Sequence, residues 1–169
     1  MHMTLAKEQS LPAAKIGIRQ FQPGDAAAFR RLNEEWITRY FRIEPKEELV
    51  LADPQKVILD SGGRIFFATA GERCIGCCGL IRLNEKEFEV AKMAVEPSYQ
   101  GAGIGHRLLQ AVIEEARRAG AHRLYLETNH VLTPAIRLYE SLGFKHIDPS
   151  RIIPSAYARA DVYMELLLV

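Results

Sequence analysis

Apolar and polar positions along the chain follow two spacings, one typical of strands and one typical of helices. Alternation near the start predicts a strand over 15–21. Apolar side chains then recur every three or four residues over 26–40, which predicts an amphipathic helix. Asp53 followed by Pro54 is typical of a helix start, so we expect a second, short helix that ends before Gly62.

The rest of the chain predicts a hairpin region followed by strand and helix pairs. Short turn sequences separate its first three strands, so hairpins join them and they should be antiparallel. In chain order we expect strands over 64–70, 74–83 and 88–95, a long helix between Gly105 and Gly120, a strand over 123–128, a helix over 133–143, and strands over 144–147 and 161–168. This order indicates an α/β fold with a mixed, mostly antiparallel central sheet and helices on both faces.

Length, composition and charge narrow the class of protein. With 169 residues, 48% of them hydrophobic and 25% charged, the chain is typical of one globular domain, which we place at 15–169 after a flexible N-terminal arm at 1–14. Lys and Arg total 22 against 21 Asp and Glu, and this balance argues against nucleic acid or a membrane as partner. Without a signal-peptide pattern, the expected location is cytoplasmic.

The cysteines do not suggest a disulfide framework or a metal site. They are three, an odd number, clustered at Cys74, Cys77 and Cys78, which fits a reducing compartment. Strand alternation predicts that Cys74 and Cys78 share one face while Cys77 points to the other. We therefore expect small core residues and no bound metal.

A glycine-rich segment directly before the long helix carries the first chemical signal. Gly101, Gly103 and Gly105 stand at alternate positions, which lets backbone N–H groups converge on a phosphate at the helix N-terminus. A tight turn without a ligand is the alternative. A Walker A loop is excluded because His106 and Arg107 replace its Lys and Ser or Thr, and a dinucleotide fingerprint matches weakly because its third glycine is missing.

The same segment resembles the GCN5-related N-acetyltransferase (GNAT) family. Its sequence Gln-Gly-Ala-Gly-Ile-Gly matches the family motif Gln/Arg-x-x-Gly-x-Gly/Ala, and the likeness extends to 89–95, 126–129 and 135–144. The resemblance implies an acyl-CoA N-acyltransferase fold, acetyl-CoA as co-substrate without a metal, and direct acetyl transfer to a primary amine in a ternary complex. A non-catalytic acyl-CoA sensor of the same fold is the alternative.

The resemblance also implies roles for individual residues. It places coenzyme binding at Met93, Ala94 and Val95 of the central strand and at Gln100, Gly101, Ala102, Gly103, Ile104, Gly105 and Asn129. The N–H of Val95 would polarise the thioester carbonyl. Tyr139 would protonate the departing thiolate, and Glu89 is the candidate base for the amine. Alternatively, Asn129 is an ordinary loop residue, and Tyr139 is a helix residue half-buried against the sheet.

The sequence does not decide which group accepts the proton of the amine or which amine is the acceptor. Besides Glu89, which could be an ordinary exposed strand carboxylate, Glu127 or a water molecule could accept the proton. The resemblance implies that the first two helices and the loop at 148–160 together form the acceptor site. Acidic side chains there (Glu44, Glu47 and Glu48) could attract a cationic amine, whereas Arg151 and Arg159 could hold a carboxylate. The acceptor is therefore a small-molecule amine, a peptide N-terminus or a lysine, and a homodimer is also compatible with the sequence.

Overall fold

The computed structural model describes residues 15–169, so the predicted arm at 1–14 lies outside the described residues. Its strands are β1 (Ile16–Gln20), β2 (Arg64–Ala70), β3 (Arg73–Arg82), β4 (Glu87–Val95), β5 (Arg123–Thr128), β6 (Lys145–His146) and β7 (Val162–Leu167). Its α-helices are α1 (Ala26–Tyr40), α2 (Pro45–Ala52), α3 (Ile104–Arg118) and α4 (Thr133–Ser141).

All seven strands form one sheet in the order β1-β2-β3-β4-β5-β7-β6. Neighbouring strands are antiparallel except β4 and β5, which run parallel. The parallel pair follows from the chain, because α3 crosses over the sheet between these two strands. The prediction of a mixed, mostly antiparallel sheet is confirmed.

Two apolar clusters fill the spaces on opposite faces of the sheet. One lies under α3 and α4 and is centred on side chains such as Ile75, Leu108 and Leu124. The other lies under α1 and α2 and contains Phe29 and Phe67, both fully buried. Helices therefore cover both faces, as the apolar spacing predicted.

The second helix does not lie where the sequence predicted it. It is α2, which begins after Glu44 with a capping box in which the side chains of Glu44 and Glu47 each accept a backbone N–H. The segment after Asp53 forms only a five-residue π-helical turn, Gln55–Leu59. Asp53 still accepts a hydrogen bond from the N–H of Lys56 at 3.0 Å, so its capping role was predicted correctly but the helix was not.

The expected faces of the cysteines were wrong. Thr69 pairs with Cys74 while Ala68 pairs with Gly76, so Ile75 is an extra residue that forms a bulge in β3 and reverses the alternation. Cys74 therefore lies with Cys77 under α1, and Cys78 lies on the α3 face. Within residues 15–169 no three His, Cys, Asp or Glu side chains gather as a metal site would require.

In the part of the chain that the structure describes, no helix has the length and apolar character needed to span a bilayer. The cytoplasmic location stays a prediction.

Candidate active site

A gap opens in the middle of the sheet, between the two parallel strands. β4 and β5 pair only from Glu87 with Arg123 to Glu89 with Tyr125. Beyond that point both strands continue, β4 to Val95, without pairing to each other. The carboxyl ends of the two strands therefore diverge and leave backbone groups free for a ligand.

A second bulge shapes the β4 side of this gap. Gly79 pairs with Ala91 and Cys77 with Ala94, so two residues of β4 oppose one of β3. At the bulge Lys92 has φ of 56°, a left-handed conformation that is rare for a residue other than glycine. Such strain persists only where the surroundings hold it, and it is frequent at functional sites.

The bulge leaves Met93, Ala94 and Val95 in three different settings. Met93 lines the gap, and Ala94 is buried against the α1 face. The N–H of Glu96 donates to the carbonyl of Ile75 on β3 at 2.8 Å. Because alternate residues direct their N–H groups to opposite sides of a strand, the N–H of Val95 points away from β3 toward the gap.

The glycine loop lies at the N-terminus of α3 and is open to solvent. Gly101 and Gly103 have φ of 81° and 76°, and a side chain at either position would meet no atom within 4 Å other than those of its chain neighbours. Gly103 is the N-cap of α3, and no side chain caps the free N–H groups that follow it. Gln100 and Ala102 are exposed, whereas Ile104 is buried and anchors the loop. The loop is thus an open cradle of N–H donors with the positive end of a 15-residue helix behind it.

A cleft of about 880 Å³, counting its open mouth, continues the gap toward α1 and α2. The structure brings Glu89, Asn129 and Tyr139 together in its wall, although they lie on different elements. Aromatic side chains of Trp36 and Tyr157 line it as well. Glu89 is therefore not the exposed strand carboxylate of the alternative interpretation.

Tyr139 is suited to donate a proton. It is 8% exposed, its ring lies 5.9 Å from that of Phe144, and its hydroxyl makes no hydrogen bond with another described residue. Burial raises its pKa, with a smaller contribution from Cys78, so the hydroxyl keeps its proton at neutral pH.

Glu89 is suited to accept a proton. Burial, and then the negative charge of Glu127, raise its pKa from 4.5 to about 7, against a smaller opposite effect of Lys46 and Lys92. A carboxylate with a pKa near neutrality is an effective general base at physiological pH.

Asn129 ends β5 beside the cleft, but its side chain is used within the protein. Its Nδ2 donates to the carbonyl of Arg159 at 2.7 Å, and its Oδ1 accepts from the N–H of Val131 at 2.9 Å. The bond to Arg159 holds the loop between β6 and β7 against the end of β5, and the bond from Val131 is local to the turn after β5. The loop-residue alternative for Asn129 therefore has direct structural support, and its contact with the coenzyme stays a prediction.

Sequence reasoning missed an ion-pair group at the far wall of the cleft. The carboxylate of Glu47 is fully buried and pairs with Arg159, and with Lys92 at 3.2 Å. Burial opposes ionisation, yet the hydrogen bond from Arg159 and the charge of Lys92 lower the pKa of Glu47. The sequence carried one signal, the Glu44-Pro45 start of α2, but nothing in it joins Glu47 to residues so distant in the chain.

Comparison with known proteins agrees with this architecture. The model of the "Acetyltransferase (GNAT) family" matches residues 29–144. The N-acetyltransferase YsnE of Bacillus subtilis, itself described as uncharacterized, is 37% identical over 92 residues, which cover 52% of this chain and 61% of YsnE. The match thus spans about three fifths of that relative's length.

Solved structures give the same fold. A GNAT-family acetyltransferase from Staphylococcus aureus superposes with a TM-score of 0.83 at 22% identity, over 92% of this chain and 100% of that one. YncA of Salmonella typhimurium, solved with its cofactor acetyl-CoA, superposes with a TM-score of 0.73 at 22% identity, over 91% of this chain and 94% of YncA. With its fold, its open central strands and a family match over residues 29–144, the chain belongs to the GNAT acetyltransferase family.

Proposed function

We propose that the protein transfers the acetyl group of acetyl-CoA directly to a primary amine in a ternary complex. The observation that carries this proposal is the convergence of Glu89 and Tyr139 on one cleft that opens from the gap between β4 and β5. Their opposite protonation states suit a reaction in which one proton is removed and another is supplied.

The glycine loop fits the pyrophosphate of acetyl-CoA. Gly101 and Gly103 let the backbone approach a phosphate closely, and the uncapped N-terminus of α3 supplies N–H donors. The gap between the strands then accepts the thioester arm beside Val95. Dinucleotide binding is not favoured, because the sheet is mostly antiparallel and not doubly wound.

The chemistry follows from the groups around the cleft. Glu89 takes a proton from the ammonium form of the acceptor, and the neutral nitrogen forms a bond to the thioester carbon. The N–H of Val95 stabilises the developing oxyanion, an effect of about 3 kcal/mol for one such donor. The nitrogen, which becomes positively charged when the bond forms, then loses its second proton to solvent. The oxyanion collapses, the C–S bond breaks, and Tyr139 donates its proton to the thiolate. Glu89 and Tyr139 return to their starting states by exchanging protons with solvent.

The cysteines do not suggest an acetyl-enzyme intermediate. Cys77 and Cys78 are fully buried, and burial raises the pKa of Cys77 to about 12 and that of Cys78 further. A buried, protonated thiol is a poor nucleophile. This supports direct transfer between two bound substrates.

The test is a panel of amines assayed with acetyl-CoA by release of free coenzyme A. Turnover with at least one amine supports the proposal. Separately, acetyl-CoA at a hundredfold excess over its Kd should stabilise the fold by about 2.7 kcal/mol, more than NAD or ATP does. Stabilisation without turnover across the panel would favour the acyl-CoA sensor instead.

A further inference from the structure

The first observation concerns Arg159, one of the arginines that could have held a substrate carboxylate. Its guanidinium donates to Glu47 Oε2 at 2.9 Å and to Glu44 Oε2 at 3.2 Å, and its second nitrogen also bonds Glu47. It also packs over the ring of Tyr157, 5.1 Å from the centroid. The guanidinium of Arg159 is therefore already paired with two carboxylates of the protein itself.

Among the other cations of these segments, Lys92 and Arg151 are paired with carboxylates of the protein, whereas Lys46 pairs with no carboxylate of the described residues and contacts an aromatic ring. Lys92, with a side chain only 7% exposed, pairs with Glu47 and lies 4.9 Å from the centroid of Tyr157. Arg151 bonds both oxygens of Glu165 at 2.8 and 3.0 Å. Lys46 is exposed and does not line the cleft, and its ammonium lies 5.2 Å from the centroid of Tyr157.

Two other acids of the cleft, Glu89 and Glu127, have no cation as a hydrogen-bond partner within residues 15–169. Glu89 makes no hydrogen bond with any residue that the structure describes. Glu127 accepts hydrogen bonds from two neutral hydroxyls, Tyr125 at 2.9 Å and Ser155 at 2.7 Å. In the described part of the chain, the cleft therefore offers two carboxylates without a paired cation beside aromatic walls, and the two cations that line it, Lys92 and Arg159, are paired with Glu47.

From this charge distribution we infer that the acceptor is a primary amine that carries no carboxylate on the carbon next to its nitrogen. The inference rests on the proposed acetyl transfer and names its substrate class. Glu127 binds the incoming ammonium next to Glu89, and the face of Trp36 suits a cation or its carbon chain. A carboxylate on the adjacent carbon would meet Glu127 and find no free cation of the cleft wall to pair with.

The experiment uses amines in matched pairs that differ by that carboxylate: tyramine with tyrosine, agmatine with arginine, and histamine with histidine. Tyrosinamide keeps the size of tyrosine but removes its charge. We expect kcat/KM to be about tenfold or more higher for each amine than for its amino acid, with tyrosinamide closer to tyramine. Equal or better use of the amino acids would overturn the inference while leaving acetyl transfer established.

Glu127→Gln tests the residue behind the preference. Gln still accepts a hydrogen bond from one of the two hydroxyls and can donate its amide N–H to the other, but it removes the charge, so the ratio within each pair should fall to about threefold or less. Glu114→Gln is the matched control, since Glu114 pairs with Arg118 on the exposed surface of α3 and its loss should leave the ratio unchanged. An unchanged ratio in Glu127→Gln would contradict the role of Glu127. Absence of turnover with every amine would instead overturn the proposed function.

Discussion

In Tyr139 and Glu89, one physical effect favours the two opposite roles that we propose for them. Burial disfavours the charged form of each, so the pKa of both side chains rises. For a phenol this secures the proton, whereas for a carboxylate it raises the basicity into the neutral range. The like charge of Glu127 adds to the effect on Glu89.

Replacing Tyr139 by Phe removes only the hydroxyl. We expect kcat to fall by about 10²–10⁴-fold, the usual contribution of a general acid, while the Kd for acetyl-CoA barely changes. Thermal stability should also hold, because the hydroxyl bonds no other described residue. Steady-state kinetics and calorimetric titration measure both effects, and an unchanged kcat would show that water protonates the thiolate.

Replacing Glu89 by Gln removes the group that titrates near pH 7. The acidic limb of kcat/KM against pH should disappear together with most of the rate. Since the folded-state pKa is raised, ionisation costs stability as pH rises from about 4.5 to 7, and Gln escapes this cost. The Tm of the variant should therefore gain on the wild type between pH 5 and pH 8. A persisting acidic limb would assign that pKa to the amine.

At the scale of elements, the site depends on where regular structure is interrupted. The bulge at Lys92 re-aims the end of β4, and the loop of Gly101 and Gly103 leaves the N-terminus of α3 uncapped. Local backbone conformation at these points exposes N–H groups that a regular strand or a capped helix would use internally.

Gly103→Ala tests the loop. A residue with a side chain at φ of 76° strains the backbone by about 1 kcal/mol, and the added methyl group occupies the face that a phosphate must approach. We expect acetyl-CoA binding to weaken at least about tenfold in calorimetric titration. Gly24→Ala is the control, because Gly24 has φ of 97° and equally open surroundings but lies in the turn before α1. If Gly24→Ala weakened acetyl-CoA binding as much as Gly103→Ala, backbone strain alone would explain the weaker binding.

At the scale of the whole molecule, Arg159 joins two distant parts of the chain across the cleft. It lies in the segment before β7, and its partner Glu47 lies in α2. The bonds from Ser155 to Glu127 and from Asn129 to Arg159 tie the same segment to β5. The cleft wall is therefore held from both sides.

Arg159→Gln should destabilise the fold by about 3 kcal/mol, because it leaves the buried carboxylate of Glu47 with Lys92 as its remaining cation. Arg30→Gln, which breaks an exposed pair with Glu48, should cost much less, because water screens that pair. Urea unfolding measures both. Equal costs in the two variants would show that burial does not strengthen the Arg159 pair.

The sequence alone determined the elements whose cause is local. Apolar spacing predicted α1 and most strands, glycines marked the loop before α3, and the resemblance of these segments indicated the family. The helix α2 escaped because a glutamate, rather than Ser, Thr or Asp, caps it. The bulge in β3 was not predicted, because one extra residue changes which face the side chains before it point to and the apolar pattern does not show it.

Only the tertiary structure decided what the cleft contains. Glu89, Glu127 and Tyr139 belong to three elements, and their shared pocket follows from the divergence of β4 and β5. The sequence left both signs of charge open for the acceptor, since it contains acids and arginines in the relevant segments. Folding pairs Arg159 with Glu47 and leaves Glu89 without a partner among the described residues, because Coulomb interactions depend on distance in space and not along the chain.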